Sequence, residues 1–323
     1  MTPVKHPIFN KILGILLWIA IRFAGCLNTN GVRRTARVVA RLIRIFYPRG
    51  VKLVRANIQT AFPALSPDEQ RRIVNENLVS TVWSWLDFLR LLRHPDLLPQ
   101  LLEEPDKDPT KEFPGQFILC LPHVNGWELF AQILPKYLPK AAAIAATIPL
   151  PAINEMLIKF RTATGLKLIP KEGALRKSIS ELRNGTSIGM LIDQNLSPRH
   201  GGIFVDFFGL PVPTSPAPAI LSARMGIPLL TGEVFRNPDG KYTLALKRLE
   251  TNLPQKPSPE EITNATQLIL KANEAVIQRH PEQYSWFYRR WNSIPADVSP
   301  ELAAKFPFYA KRKKHRIHNE EAK

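Results

Sequence analysis

An α/β fold, with a mostly parallel central sheet flanked by helices and an N-terminal membrane-associated helical segment, is what this sequence predicts on three observations. Between residues 117 and 193, short apolar runs alternate with stretches of helical period, the pattern of strands joined by crossover helices. At 323 residues, 45% of them hydrophobic and 22% charged, the chain can bury one large core with a small accessory unit. The first 50 residues differ from the rest: the uninterrupted apolar run ILGILLWIAI begins at Ile12, and arginines then alternate with Val, Leu and Ile. The domain plan is therefore a membrane anchor with a basic amphipathic helix at 1–50, a main domain at 51–300 and a basic tail at 301–323.

Taken in order, the apolar stretch 12–27 is interrupted by Arg22. It falls short of the roughly 20 apolar residues that a free span needs, and suits an interfacial or shallowly inserted anchor. A buried core helix is the alternative, and no small-residue cleavage site follows the run. In the next stretch Arg33, Arg34, Arg37, Arg41 and Arg44 recur at helical spacing among apolar residues, a surface suited to anionic lipid headgroups. A second helical block covers 53–92. Within it Ser66-Pro67-Asp68-Glu69 has the form of a capping box with proline at the first helical position. Trp83 and Trp85 read as core or interface anchors. A linker rich in proline and acidic residues occupies 94–114.

Strands are then expected at 117–121, 141–147, 166–169 and 186–193, and helices at 126–137, 152–163 and 174–183. Residues 216–225 form a helix stopped by Gly226, and two apolar strands flank the turn Asn237-Pro238-Asp239-Gly240 as a hairpin. The last long helix, 260–279, places Ile262, Ala265, Ile269, Ala272 and Val276 on one face. The tail begins with the run KRKKHR at 311–316, expected to be disordered or bound to lipid.

The formal charge of +17, from 44 Lys and Arg against 27 Asp and Glu, leaves nucleic acid, anionic membrane and acidic protein open as partners. The chain shows no recognition-helix, zinc-finger or aromatic-basic RNA-binding signature, so nucleic acid is set aside. Two cysteines, Cys26 and Cys120, give neither a disulfide framework nor a metal cluster, and point to a reducing compartment. No metal and no cofactor is expected.

The stretch LPHVNGWELF at 121–130 places His123 at the C-terminal end of a buried strand, where open α/β sheets bind ligands. Glu128 follows five positions later. One reading makes the pair a dyad, with the imidazole as general base and the carboxylate fixing its tautomer. The other makes Asn125 an N-cap and Glu128 its reciprocal partner at the third helical position, with no chemistry.

Four ordered blocks extend this reading. HVNGWEL is similar to the HxxxxE block of the lipid A biosynthesis (late) acyltransferases, with Asn125 and Gly126 in swapped order relative to the usual His-x-Gly-Asn-Trp-Glu. RANIQTAFPALSPDEQRRIVNENL at 55–78, DQNLSPRHGGIFVDFFGLPVPT at 193–214 and PEQYSWFYRRW at 281–291 resemble further blocks of the same family. The resemblance implies a glycerolipid-acyltransferase-like fold at the inner membrane, with its catalytic domain on the cytoplasmic face. It would move a fatty acyl chain from an acyl carrier protein thioester to a hydroxyl of a lipid A precursor beside anionic membrane lipid. His123 would be the general base and Glu128 would orient it. Asn125, Gly126, Asp193, Gln194, Arg289 and Arg290 would bind substrate, with amides near Asn125 and Gly126 or a basic side chain as oxyanion donors. Asp193 would orient the acceptor or an arginine, and Arg289 and Arg290 would hold lipid A phosphates, position Asp193 or form a solvated surface pair. Phe204, Phe207 and Phe208 would line an acyl channel or belong to the core, and His200 reads as a loop residue. Where family members tend to carry an arginine before a proline, this chain has Ile148 before Pro149, which leaves that cation's task to another residue or marks a different acceptor. An acyl-CoA donor, another glycolipid or a lysolipid as acceptor, and a non-catalytic membrane adaptor are the competing readings.

Overall fold

A computed structural model of the chain describes residues 7–103, 111–113, 115–138 and 140–312. Four helices come first: α1 (Pro7–Gly25), α2 (Thr29–Phe46), α3 (Pro48–Ala61) and α4 (Pro67–Arg93), followed by the single turn α5 (Leu98–Leu101). The expected capping box opens α4: Ser66 accepts from the Glu69 amide while Glu69 accepts from the Ser66 amide. The helical block expected at 53–92 is thus two helices, and α3 begins at Pro48 because proline suits the first helical turn.

The α/β layer follows as β1 (Ile118–Leu121), α6 (Trp127–Tyr137), β2 (Ala141–Ala145), α7 (Pro151–Thr162), β3 (Lys167–Pro170), α8 (Ala174–Arg183) and β4 (Ser187–Leu191). A hairpin of β5 (Ile203–Phe207) and β6 (Leu210–Thr214), then α9 (Ala217–Met225), β7 (Leu229–Arg236), β8 (Tyr242–Leu249) and α10 (Pro259–Arg279) complete the domain. The central sheet runs β3-β2-β4-β1-β7-β8, parallel except for the antiparallel edge pair β7 and β8. Both faces are covered. Ile118, Cys120, Ile188 and Met190 pack with Leu182 of α8, Leu221 of α9 and Ile269 of α10. Leu119 and Leu121 face the other way, onto Leu129 and Ile133 of α6 and Leu157 and Phe160 of α7. Such alternation along a strand buried on both sides is what a parallel sheet between two helical layers requires.

The β5–β6 hairpin is the element that the sequence pattern hid. Pro211 and Pro213 lie within β6, and proline inside an apolar run argues against a strand unless it lies at an edge; this two-stranded ribbon is all edge.

At the N-terminus, α1 and α2 pack on α4 through Ala24, Val32, Ala36, Trp83 and Leu86. The rest of α1 is turned outward, with Ile8, Ile12, Ile15, Leu16, Trp18, Ile19 and Phe23 exposed, so the core-helix alternative fails. Among the described residues α1 is the one helix long and apolar enough to cross a membrane. Of the expected basic tail, residues 301–312 are ordered structure: α11 (Pro300–Ala303) precedes Lys311–Arg312, which pairs with Ser293–Ile294. Residues 313–323 lie outside the described part.

Candidate active site

Strands β1 and β4 are parallel neighbours in the register Cys120↔Met190 and Leu121↔Leu191. Extending both by two residues brings His123 and Asp193 side by side at the C-terminal edge of the sheet. The contact is close: His123 Nδ1 lies 2.5 Å from Asp193 Oδ1, and the His123 amide donates to Asp193 Oδ2 at 2.8 Å. With Nδ1 against a carboxylate, the tautomer is set as Nδ1–H and the Nε2 lone pair is left as an acceptor, which the Gln194 side-chain amide caps. Nε2 faces the partly open rim, 3.3 Å from Nε2 of the exposed Gln194.

Asp193 is itself buried. Burial pushes its carboxyl up, but the His123 ring, the two hydrogen bonds from His123 and the Arg290 charge outweigh it and hold the group below the ordinary carboxylate range. Burial pushes Tyr284 well above the ordinary phenol range, and the neighbouring Asp193 carboxylate adds to it. Burial lowers Arg290, against the opposing pull of Tyr284 and Asp193. Arg290 is closed off from solvent and donates to Asn195 Oδ1 (2.8 Å), the Pro213 carbonyl (3.1 Å) and Thr214 Oγ1 (2.6 Å). It therefore ties Asn195, in the loop after β4, to the end of β6 while keeping its charge near Asp193, and a substrate phosphate has no access to it. Arg289 is exposed, with its guanidinium 5.9 Å from the Tyr309 ring.

The carboxylate on His123 is thus Asp193, and the expectation that Glu128 orients the imidazole is corrected. Glu128 is buried in the first turn of α6 and holds Arg161 of α7 with both oxygens, Oε2 to Nε at 2.9 Å and Oε1 to Nη2 at 2.6 Å. Five residues of a bend and a helical turn point the two side chains apart, and the guanidinium fork offers Glu128 the stronger, bidentate partner. The two pairs still meet: the Arg161 guanidinium lies 5.6 Å from the Trp127 ring, and that ring lies 5.1 Å from the His123 imidazole.

The capping alternative fails as well. The N-cap of α6 is Gly126, without a side-chain cap, and Asn125 instead donates to Ser80 Oγ of α4 at 2.9 Å. That hydroxyl also accepts from Arg236 Nη2 at 2.6 Å, and Arg236 continues to Ser84 and Tyr242. Tyr242 donates to Asp87, whose carboxyl burial pushes up against the pull of Arg236 and Arg90. Asn125 is therefore tied through its side-chain amide to a buried polar network that fixes the loop. Gly126 is needed for close approach, since a Cβ there would lie 2.2 Å from the Val234 carbonyl oxygen of β7. The amides of Asn125 and Trp127 are engaged by the carbonyls of Gln283 (2.7 Å) and Val124 (2.8 Å).

The segment after α10 locks this loop. The Ser285 amide donates to the His123 carbonyl at 3.0 Å, and Val124 bridges Tyr284. Two buried asparagines hold the segment in turn: Asn77 donates to the carbonyls of Glu282 and Tyr284, and Asn57 to those of Trp286 and Tyr288. Arg161, Ser80, Arg236, Asn57 and Asn77 are the site's supports that the sequence reading missed. The Asn pair lay inside the quoted 55–78 block, but no spacing rule marked those two residues. Phe207 is fully buried against Tyr284 and Trp291, and Phe208 packs on Phe62 and Trp286, so these rings belong to the core. His200 lies on an exposed turn.

The model of the bacterial lipid A biosynthesis acyltransferase family matches residues 2–293. The chain is 25% identical over 312 residues to the lipid A biosynthesis lauroyltransferase of Escherichia coli, covering 92% of this chain and 96% of that one. It is equally 25% identical over 302 residues to the palmitoleoyltransferase of the same organism, covering 89% and 92%. Among solved structures, a 1-acyl-sn-glycerophosphate acyltransferase from Thermotoga maritima aligns over 83% of this chain and 97% of its own at 15% identity and a TM-score of 0.34. A family match that spans nearly the whole chain and includes both His123 and Asp193 makes this protein a member of the bacterial lipid A biosynthesis acyltransferases, enzymes that transfer acyl groups.

Proposed function

We propose that this enzyme moves a fatty acyl chain from an acyl carrier protein thioester to a hydroxyl of a lipid A precursor, at the cytoplasmic face of the inner membrane. The observation that carries the mechanism is the outward-facing Nε2 of His123, held by Asp193 through the opposite nitrogen. Nε2 accepts the proton of the acceptor hydroxyl as its oxygen attacks the thioester carbonyl carbon. Asp193 stabilises the imidazolium that forms and is a positioning residue. The tetrahedral oxyanion collapses, the C–S bond breaks, and the imidazolium returns its proton to the leaving thiolate. No covalent enzyme intermediate is required.

The oxyanion needs a donor; the amides of Asn125 and Trp127 are already engaged, which leaves the Gly126 amide and a basic side chain. Arg161, held beside Trp127 by Glu128, supplies a fixed positive charge for this purpose or for a precursor phosphate. It also answers the Ile148 departure, since the cation comes from α7. Glu128 thereby keeps a place in the reaction as the residue that orients Arg161. Exposed Arg289 and Gln194 are the remaining candidates for direct substrate contact. The excess of positive charge steers both an acidic carrier protein and a phosphorylated acceptor. The outward apolar face of α1 and the arginines of α2 keep the enzyme on the bilayer where that acceptor lies.

The test is a mass-spectrometric transfer assay with acyl carrier protein thioesters and matched acyl-CoAs as donors. The acceptors are a lipid A precursor, a lysophospholipid and a mannosylated phosphoinositide, with His123→Ala as control. A His123-dependent gain of one acyl chain on the precursor, from the carrier-protein donor alone, is the expected result. Gain on another acceptor only, or from acyl-CoA only, overturns the substrate assignment.

A further inference from the structure

The elbow between α2 and α3 carries a second group of features that the acyl-transfer site does not use. A single residue, Tyr47, is both the C-cap of α2 and the N-cap of α3. Its ring packs on Gly50, where any Cβ would overlap it at 2.0 Å. A cavity of about 440 Å³ opens at this elbow, lined by Arg44, Val51, Lys52, Arg55, Gln59 and Phe308. Arg44, Lys52 and Arg55 are all exposed, and among the described residues no carboxylate pairs with any of them. Lys52 instead sits 4.7 Å over the Phe308 ring.

The surroundings say what kind of anion this is. On α2 the buried residues Val32, Ala36 and Ala40 form one stripe. At 100° per residue, Arg33, Arg44, Arg37, Arg41 and Arg34 form a second stripe beside it. Val38, Leu42, Ile45 and Phe46, all exposed, form a third. A helix with a basic stripe directly above an exposed apolar one lies in a bilayer interface, with apolar side chains below the headgroups and arginines among them. Val51 and the exposed Phe308 supply apolar surface in the lining of the elbow cavity itself. A ligand that fills it would place phosphate against the cations and hydrocarbon against these side chains.

We propose that the α2–α3 elbow is a headgroup site for an anionic phospholipid, binding its phosphodiester through Arg44, Lys52 and Arg55. The site is separate from the acyl-transfer centre, with which it shares no lining residue. It deepens the membrane reading given above and rests on it. Asn57, on the same helix α3, holds the 286–288 backbone, so an occupied elbow anchors the helix that supports the catalytic loop.

The full-length enzyme is tested by co-sedimentation with phosphatidylcholine vesicles and with vesicles containing phosphatidylglycerol at equal ionic strength. Wild type should bind the anionic vesicles on the order of 10- to 100-fold more tightly. The triple variant R44Q/K52Q/R55Q should lose most of that preference while keeping its binding to neutral vesicles. The charge-matched R33Q/R34Q/R37Q should lose less. Equal losses in the two triples would overturn the elbow site in favour of general charge attraction. Loss of the preference on adding millimolar inorganic phosphate would show a free-phosphate site instead. Binding to neither vesicle type would overturn the membrane reading and the elbow site together, whereas neutral binding without anionic preference would overturn the elbow alone. Melting temperature and turnover on detergent-dispersed substrate should match wild type in the elbow variant, because all three side chains are exposed.

Discussion

Two regions of the molecule treat charge in opposite ways. At the C-terminal edge of the sheet His123, Asp193, Glu128, Arg161, Arg290, Arg236 and Asp87 are wholly or largely buried, and each is matched to a named partner at hydrogen-bonding distance. On α2 and at the elbow the arginines point into solvent, with exposed apolar side chains beside them. Buried charges are tolerated only when paired, and pairing fixes geometry to a fraction of an ångström. Unpaired surface charges fix nothing and lose strength in salt. The first arrangement suits a reaction on one atom; the second suits a fluid, multivalent partner such as a bilayer.

The sharpest way to break this contrast is His123→Ala. Turnover should fall by about 10²- to 10⁴-fold, the range for loss of a general base, with vesicle binding and melting temperature unchanged. Next comes the opposite experiment in the other region, Ile12→Glu/Ile15→Glu/Ile19→Glu on the exposed face of α1. Removing three apolar side chains worth about 1.5 kcal/mol each should weaken binding to neutral vesicles by about 10³-fold. Turnover on detergent-dispersed substrate should be retained. A variant that lost turnover and vesicle binding in parallel, in either region, would show that the two regions are not separable.

Glu128→Gln probes how far pairing matters within the site. The amide retains a hydrogen bond to Arg161 but leaves the guanidinium charge uncompensated in a buried place. Leaving a buried charge without its partner costs about 3 kcal/mol or more. Turnover should therefore fall by roughly 10- to 100-fold with a lowered melting temperature, and Glu128→Asp should recover part of both. Wild-type turnover in Glu128→Gln, measured with the transfer assay, would remove Arg161 and Glu128 from the mechanism.

Much of this was legible in the sequence where physics is local. Apolar runs of strand length, the Ser66 to Glu69 capping box and the Gly226 stop each act within a few residues, and the elements form where those signals stand. His123 was legible because a histidine after a buried strand falls at the ligand-binding edge of the sheet. Its true partner was not, because Asp193 is 70 positions away and only the β1–β4 register brings the two together. The nearer carboxylate, Glu128, satisfied the spacing rule but answers to a helix that the rule does not see. Arg161 is one of several basic residues on or near α7, and Ser80 is an ordinary helix serine; each matters only through a contact across the fold. Even the swapped Asn125-Gly126 has a local reason, with Gly126 under the Val234 carbonyl and Asn125 turned to Ser80.

The smallest effect, and the one that most refines the contrast, is the pH dependence of stability through Asp193. Its carboxyl is held below the unfolded value of about 3.9, so the folded state binds fewer protons there than the unfolded state does. Asp193 therefore contributes stability at every pH above about 4 and loses it as pH falls through its lower folded value. Asp193→Asn should lower the melting temperature at pH 7 by about 2–6 °C, the size expected for losing a buried charge-assisted hydrogen bond. The gap between wild type and variant should close only on the acid side of pH 4. His123 is the chief group opposing the effect of burial, so the same substitution in a His123→Ala background should produce a smaller gap with its closure moved to higher pH. The exposed arginines of α2 provide the control. Arg37→Gln removes a charge with no buried partner, and should leave the melting curve unchanged across the same pH range.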